Sequence, residues 1–390
     1  MSVTSRGPAR LPVEGGSSPG LRELRLAAPE RLRELAFAGL HRMYRPSEKR
    51  FVFRLRRSGA AVVAEGSSPR YTAIVLIGLA REPETSISDV LHGQQLHEVC
   101  ASLAASTLRS ANVGDVALAL WALEGAGSPD APALRDRLLS LGPDADGVAT
   151  VEAAWALTAL CLSRAEAATC DRLASRLVAC ASPGTAVFPH VLGGGRGLRA
   201  HVSCFADMVY PIQALARAAH LLGRADAINT ARAAAARICE AQGRAGQWWW
   251  HYDNRTGEVI EGYPVYAVHQ DSMAPMALFD LGDVSETDYS TWIARGLRWL
   301  ESAPELGGRS LVDEPEGLIW RKVARVEPGK ASRVVQAAAS RLHPALRAPA
   351  LDRLWPPAAI DFEDRPYHLG WILQAWPAAR ASAWRGAASL

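Results

Sequence analysis

The chain has 390 residues, about half of them hydrophobic, and 43 basic against 40 acidic side chains give a formal net charge of +3. That balance provides no global field to concentrate nucleic acid or an acidic membrane, and no window approaches the roughly eighteen apolar residues of a membrane span. The six cysteines, Cys100, Cys161, Cys170, Cys180, Cys204 and Cys239, lie in Ala/Leu-rich stretches with no finger-like spacing. They read as small core residues of a cytoplasmic protein in a reducing compartment.

Residues 1–20, MSVTSRGPARLPVEGGSSPG, hold no apolar run and no cleavage signature, and predict a disordered lead to a single domain over 21–390. From there two kinds of helix alternate. Amphipathic helices with Arg, Glu or Gln on one face begin near Leu21, His92, Pro132, Ala165, Asp226 and Thr287. Helices apolar nearly all round begin near Thr72 (TAIVLIGLA), Val116, Val151, Met208, Met273 and Leu369 (LGWILQAW). A helix without a polar face must be buried on every side. Pairing each outer helix with the inner helix after it gives about six hairpins, separated by turns such as GAGSPDAP and LGPDADG. Strand-like runs are few: FVFRLRR from Phe51 with AAVVAEG, and QWWWHYD from Gln247 with EVIEGYPVY, both predicted as hairpins on a helical body.

Such units cannot bury their apolar faces alone, so they stack into an open solenoid or a closed ring. An open solenoid would show polar groups along its inner row. Here only the first residues of each inner helix are polar, which predicts an all-α fold: an (α/α)6-type toroid with a pocket at one end.

The stretch AAAARICEAQGRAGQW supplies Ala234, Ile238, Gln242, Gly246 and Trp248, and RGLRWLESAPELGG supplies Arg295, Gly296, Trp299, Leu300 and Gly308. Together they resemble the QW repeat of the terpene-cyclase and protein-prenyltransferase superfamily. The first lacks the repeat's basic and aromatic members, and the second has Pro304 for its Gln and Ser310 for its Trp. The resemblance implies an α/α barrel in which Gln ties a helix end to the next turn and Trp packs between helices; six-hairpin carbohydrate-active barrels share that architecture. DFED from Asp361 is similar to the DxDD acid motif of class II terpene cyclases, with Glu363 where the middle acid protonates an alkene. Prenyltransferases hold zinc with an Asp, a Cys two residues later and a His. Asp271 and His368 match two of these, with Met273 at the Cys position.

In a barrel of hairpins the inner helices all point the same way, so their N-termini meet at one mouth. The polar residues just upstream are Arg70 and Tyr71; Asp115; Glu152; His201, Ser203, Asp207 and Tyr210; Tyr263, Tyr266, His269, Gln270 and Asp271; and Asp361, Glu363, Asp364, Arg365, Tyr367 and His368. The densest group, YPVYAVHQDSMAPM, follows Trp248, Trp249 and Trp250. His269 or Tyr266 is suited to moving a proton and Asp271 to orienting its partner, with His368, Asp364 and Glu363 as further acid–base candidates. Arg70, Tyr71, Glu152, His201, Asp207, Tyr210, Trp250, Tyr263, Gln270, Arg365 and Tyr367 are candidates for holding substrate. A plain capping role for Asp271 competes with this reading. No cofactor is expected; were zinc bound, His269, Asp271 and His368 would be its ligands. The Gly run from Gly193 lacks a following Lys-Ser/Thr and reads as a turn.

Three functions fit. A carbohydrate-active hydrolase, lyase or uronosyl epimerase would stack an oligosaccharide ring or small sugar on Trp248–Trp250 and exchange protons through His, Tyr and carboxylates. An isoprenoid enzyme would use aromatic faces and an acid of DFED or diphosphate chemistry. A non-catalytic barrel would only bind a glycan or a protein. The polar mouth favours the sugar, because buried charged groups are costly unless a polar ligand pairs them. Oligomeric state is not legible.

Overall fold

The computed structural model describes residues 27–164, 166–346, 348 and 350–385. The predicted lead over 1–20, and the start of the first helix at Leu21, lie outside them.

Six helices buried on all sides form the inner ring: α2 (Pro69–Leu79), α4 (Val113–Gly125), α6 (Thr150–Ser163), α8 (Ala206–Leu222), α10 (Ala274–Ser285) and α13 (Pro366–Ala375). Each packs on the next, and α13 packs back on α2, so the ring closes. Their compositions explain the burial. In α4, for example, every residue from Val116 to Leu123 is buried, and Asn112 caps the start by accepting the Asp115 N–H at 2.8 Å. The closure between first and last inner helices is backbone to backbone. A Cβ on Gly78 would stand 2.4 Å from the Gly370 carbonyl oxygen, and one on Gly370 only 2.8 Å from that of Ile74.

Outside the ring lie α1 (Pro29–Met43), α3 (Leu96–Thr107), α5 (Ala131–Ser140), α7 (Ala167–Cys180), α9 (Ala225–Glu240) and α11 (Ser290–Glu301), each bound to the ring by one apolar face. On α11 that face is Ile293, Ala294, Gly296, Leu297, Trp299 and Leu300. Pairing outer with following inner helix gives six hairpins, as the alternation predicts. Aromatic rings fill the ring's centre, with Trp121 and Trp371 centroids 5.4 Å apart and Trp155 edge-on to Tyr210 at 5.1 Å. The QW-like segment performs a tie: buried Gln242 donates through Nε2 to the carbonyls of Gly246 and Trp292, both at 3.0 Å, while Trp248 is fully buried.

Chain crosses from inner to outer helices in short links, except after α2, where 80–95 carries a short helix over Glu84–Val90, whereas several outer-to-inner connections are long and belong to the mouth side. Among the described residues they carry two two-stranded antiparallel ladders, Tyr44–Arg45 with Arg50–Phe51 and Val312–Asp313 with Leu318–Ile319, and three three-stranded antiparallel sheets. One joins β1 (Arg54–Ser58), β2 (Ala61–Glu65) and β9 (Glu363–Asp364), with Asp364 opposite Leu55. The second is β3 (Val202–Cys204), β4 (His251–Asp253) and β5 (Val259–Glu261). The third is β6 (Val265–Tyr266), β7 (Lys322–Ala324) and β8 (Ala359–Asp361). The two hairpins expected from sequence are therefore present, each with an added third strand. The longest connection, between α11 and α13, also carries α12 (Ala331–Leu342) against β5. Among the described residues no helix is long and apolar enough to cross a membrane.

Candidate active site

At the end where the inner helices begin, one side is lined by two sets of paired side chains, and a cavity of about 590 Å³ lined by Trp121, Arg217, Asp280 and Gln374 lies at the opposite end. Arg70 reaches Asp115 at 2.6 Å and donates to Asn112 at 2.8 Å, and Asn112 donates to Glu152 at 3.1 Å. Next around the rim, Arg365 donates to the Tyr71 hydroxyl at 2.9 Å and to Glu363 at 2.8 Å, and the Tyr71 and Tyr367 rings lie 4.8 Å apart. Glu363 also pairs with Arg54 and with Arg321 at 3.3 Å. Burial pushes the Glu363 pKa up, but the guanidiniums of Arg365, Arg321 and Arg54 outweigh it and hold the group below its ordinary value. Tyr210 lies beneath, beside Trp155 and Trp371. The convergence expected for Arg70, Tyr71, Asp115, Glu152, Tyr210, Glu363, Arg365 and Tyr367 is thus present in the geometry.

The other half is cationic and aromatic. Trp250 stacks on His251 at 3.8 Å, and the Arg333 guanidinium lies 3.9 Å over the Trp250 ring. Tyr266 stands edge-on to Trp250 at 5.7 Å, with Arg321 at 5.3 Å and Lys322 at 5.4 Å from its ring. Arg199 donates toward His251 Nε2 at 3.4 Å and to the Arg333 carbonyl at 3.5 Å. Among the described residues neither Arg199 nor Arg333 has a carboxylate within ion-pair distance. Burial lowers the pKa of both. Burial, then Arg199 and Arg333, hold His251 well below the usual imidazole range, so it is a neutral ring.

Several candidates are turned away from this opening. Asp271 is fully buried, and both its oxygens lie 2.8 Å from His368 Nε2 in the wall between α10 and α13. Burial lowers the His368 pKa, but Asp271 more than offsets that and raises it. Asp271 is therefore neither a helix cap nor open to the mouth, because α10 is entered through a π turn over His269–Met273 that carries the side chain inward. Asp364, also buried beside them, is pushed up to about 7 by burial; one oxygen accepts the Ile319 N–H at 3.4 Å. His269 sits behind the opening, between Phe205 at 4.6 Å and Tyr266 at 5.0 Å, and burial drives its pKa down to about 3.

Gln270 is a fully buried brace, accepting the Trp248 N–H at 3.1 Å and donating to the Tyr266 carbonyl at 3.1 Å. The Tyr263 hydroxyl donates to Glu305 at 2.7 Å, beside Trp249 rather than over the mouth. His201 lies buried 2.8 Å from the Ser340 hydroxyl of α12. The trio His269, Asp271 and His368 does not gather as a metal site. Among the described residues the one group of three such side chains whose ligand atoms lie within 4.8 Å of one another is His190, Cys204 and Asp207. Cys204 is accordingly half-buried beside a carboxylate and not a core residue.

Arg199, Arg321, Lys322, Arg333 and His190 were outside the candidates drawn from helix starts, since all lie on the long mouth-side connections. The run RKVARVEPGKASR from Arg321, dense in basic residues, is the signal that marks three of them.

No family model matches the sequence, and no curated protein does. Solved structures do match in fold. An unsaturated glucuronyl hydrolase specific for heparin is similar at a TM-score of 0.60 with 13% identity, covering 92% of this chain and 96% of that one. A sugar epimerase from a ruminal bacterium is similar at 0.55 with 12% identity, over 89% of this chain and 97% of that one. A type II terpene cyclase from Scytonema aligns at 0.49 with 13% identity, over 91% and 97%. At such identities the likeness concerns the fold, and the chain is an α/α toroid of the kind the hydrolase and the epimerase share.

Proposed function

We propose that the protein is a carbohydrate-active enzyme that seats an acidic sugar at this mouth. The sugar carboxylate lies against Arg199 and Arg333 beside the edge of Trp250, and Tyr266 serves as proton donor. One observation carries the reading: exposed Arg199 and half-buried Arg333, neither with a carboxylate partner among the described residues, flank the stacked Trp250–His251 pair. A guanidinium partly withdrawn from water is costly until an anion pairs it. Burial raises the Tyr266 pKa and the nearby Arg321, Arg333 and Arg365 only partly offset it, so the group favours the phenol, a proton donor, over the phenolate. The fold shared with a glucuronyl hydrolase and a sugar epimerase supports the substrate class.

The isoprenoid alternative asks Glu363 to protonate an alkene. Its three guanidinium partners favour the carboxylate, the opposite of what such a donor needs. The test is a thermal-shift and calorimetry panel of uronate-terminated oligosaccharides, their neutral counterparts, and prenyl diphosphates. Only the uronates are expected to raise the melting temperature, and Arg333→Met should weaken them about 10- to 100-fold, the loss of one charge-assisted contact. Equal binding of neutral sugars, or a shift produced only by prenyl diphosphates, overturns the assignment.

A further inference from the structure

We infer that His190, Cys204 and Asp207 form a zinc site with an exchangeable fourth position facing solvent at the mouth. The three side chains come from separate pieces of chain: the turn before the glycine run at Gly193, the end of strand β3, and the first turn of α8. Their ligand atoms nevertheless lie within 4.8 Å of one another, and His190 Nδ1 stands 3.0 and 3.2 Å from the two Asp207 oxygens. Zinc bonds of about 2.0–2.3 Å in a tetrahedron place neighbouring ligand atoms about 3.3–3.8 Å apart, so modest side-chain adjustment admits the ion.

The donor chemistry selects the metal. One thiolate, one imidazole and one carboxylate suit zinc, whereas magnesium and calcium take oxygen donors. The site has the outer support that orients ligands: Asp207 is fully buried and accepts the Cys204 backbone N–H at 2.7 Å, fixing two of the ligands relative to each other. It is also open on one side, because the His190 side chain is 61% exposed while that of Asp207 is 0% exposed. Three protein ligands with one free face are the stoichiometry of zinc sites that keep a water or take a substrate oxygen. The site belongs to the hairpin that also carries Arg199 and is independent of the acidic-sugar reading, since it rests on ligand geometry alone.

The test uses the full chain freed of metal with a chelator and titrated with Co2+, whose bands report ligand type and geometry, followed by competition with Zn2+. One equivalent is expected, with a thiolate-to-cobalt charge-transfer band and the intense visible bands of a tetrahedral ion. Cys204→Ser should abolish the charge-transfer band. His190→Ala, at an exposed position that leaves the core intact, should weaken zinc by about a hundredfold or more, exceeding the 10- to 100-fold typical of losing an outer-shell contact. Far-UV circular dichroism confirms that each variant folds. The inference is overturned if the folded wild type takes up no Co2+, or if the charge-transfer band persists in Cys204→Ser.

Discussion

Replacing Asp271 with Asn separates a wall tie from an acid–base residue. His368 and Asp271 face each other at 2.8 Å, with side chains 4% and 0% exposed. At an effective dielectric of ~20 a pair at that range is worth about 6 kcal/mol of attraction. Removing one partner from a buried pair costs about 3–5 kcal/mol, because the remaining charge is left without compensation. Asp364 is close enough to interact with His368, so Asp271→Asn should fall at the lower end of that range. For one cooperative unit of this length the melting point drops by about 4 °C, at ~2 cal/mol/K per residue of unfolding entropy.

The pH dependence has a definite sign. His368 is raised in the folded state, so its contribution is full below the ordinary imidazole pKa of 6.5 and is lost as pH climbs through the raised value. Differential scanning calorimetry of wild type, Asp271→Asn, His368→Gln and the double variant from pH 5 to pH 9 measures both effects. The single losses should overlap strongly in the double variant. An unchanged melting point in Asp271→Asn, together with abolished turnover of the sugar selected by the binding panel, would refute the structural role and return Asp271 to the chemistry.

His269 is held at about 3, so the stability it contributes is complete above 6.5 and is lost as pH falls below that. Its loss approaches ~1.4 kcal/mol per pH unit, and His269→Leu should flatten denaturant-measured stability between pH 6.5 and 5 by about 2 kcal/mol. Gln242→Ala leaves the Gly246 and Trp292 carbonyls without their donor and should cost about 1–3 kcal/mol in urea unfolding, with binding of acidic sugars retained. Gly246→Ala should be worse, since φ is +106° and the new Cβ would stand 2.0 Å from the Arg295 carbonyl oxygen; failure to purify as a folded monomeric or oligomeric species, read by circular dichroism, is expected.

The ring was readable because burial writes itself into composition. Helices such as α4 and α6 have no polar stripe, and only a position enclosed on every side permits that. The Gln242 tie was readable from its spacing to Gly246 and Trp248. The mouth was half readable. Residues at the start of an inner helix point in all directions around its axis within one turn, so position alone does not separate Arg365, which reaches Tyr71 across the rim, from Asp271, which turns into the wall. Nor does periodicity say anything about a connection. Arg199 lies on a loop and Arg333 in the first turn of α12, more than a hundred residues apart, and only folding brings the first onto the other's carbonyl. His190 and Cys204 are hidden for the same reason: their partner Asp207 follows the cysteine at three residues, but the histidine arrives from a separate turn.

The glycine-to-glycine seam between α2 and α13 has a consequence for synthesis. The strongly apolar α2 leaves the ribosome long before α13, the neighbour that covers it. At 5–20 residues per second it stays one-sided for about 15–60 s. Throughout that interval the nascent chain is an unfinished ring with a greasy flank, and a stop codon or frameshift anywhere before Pro366 makes the condition permanent. Chaperone demand should therefore track translation of the final segment more closely than the stability of the finished protein.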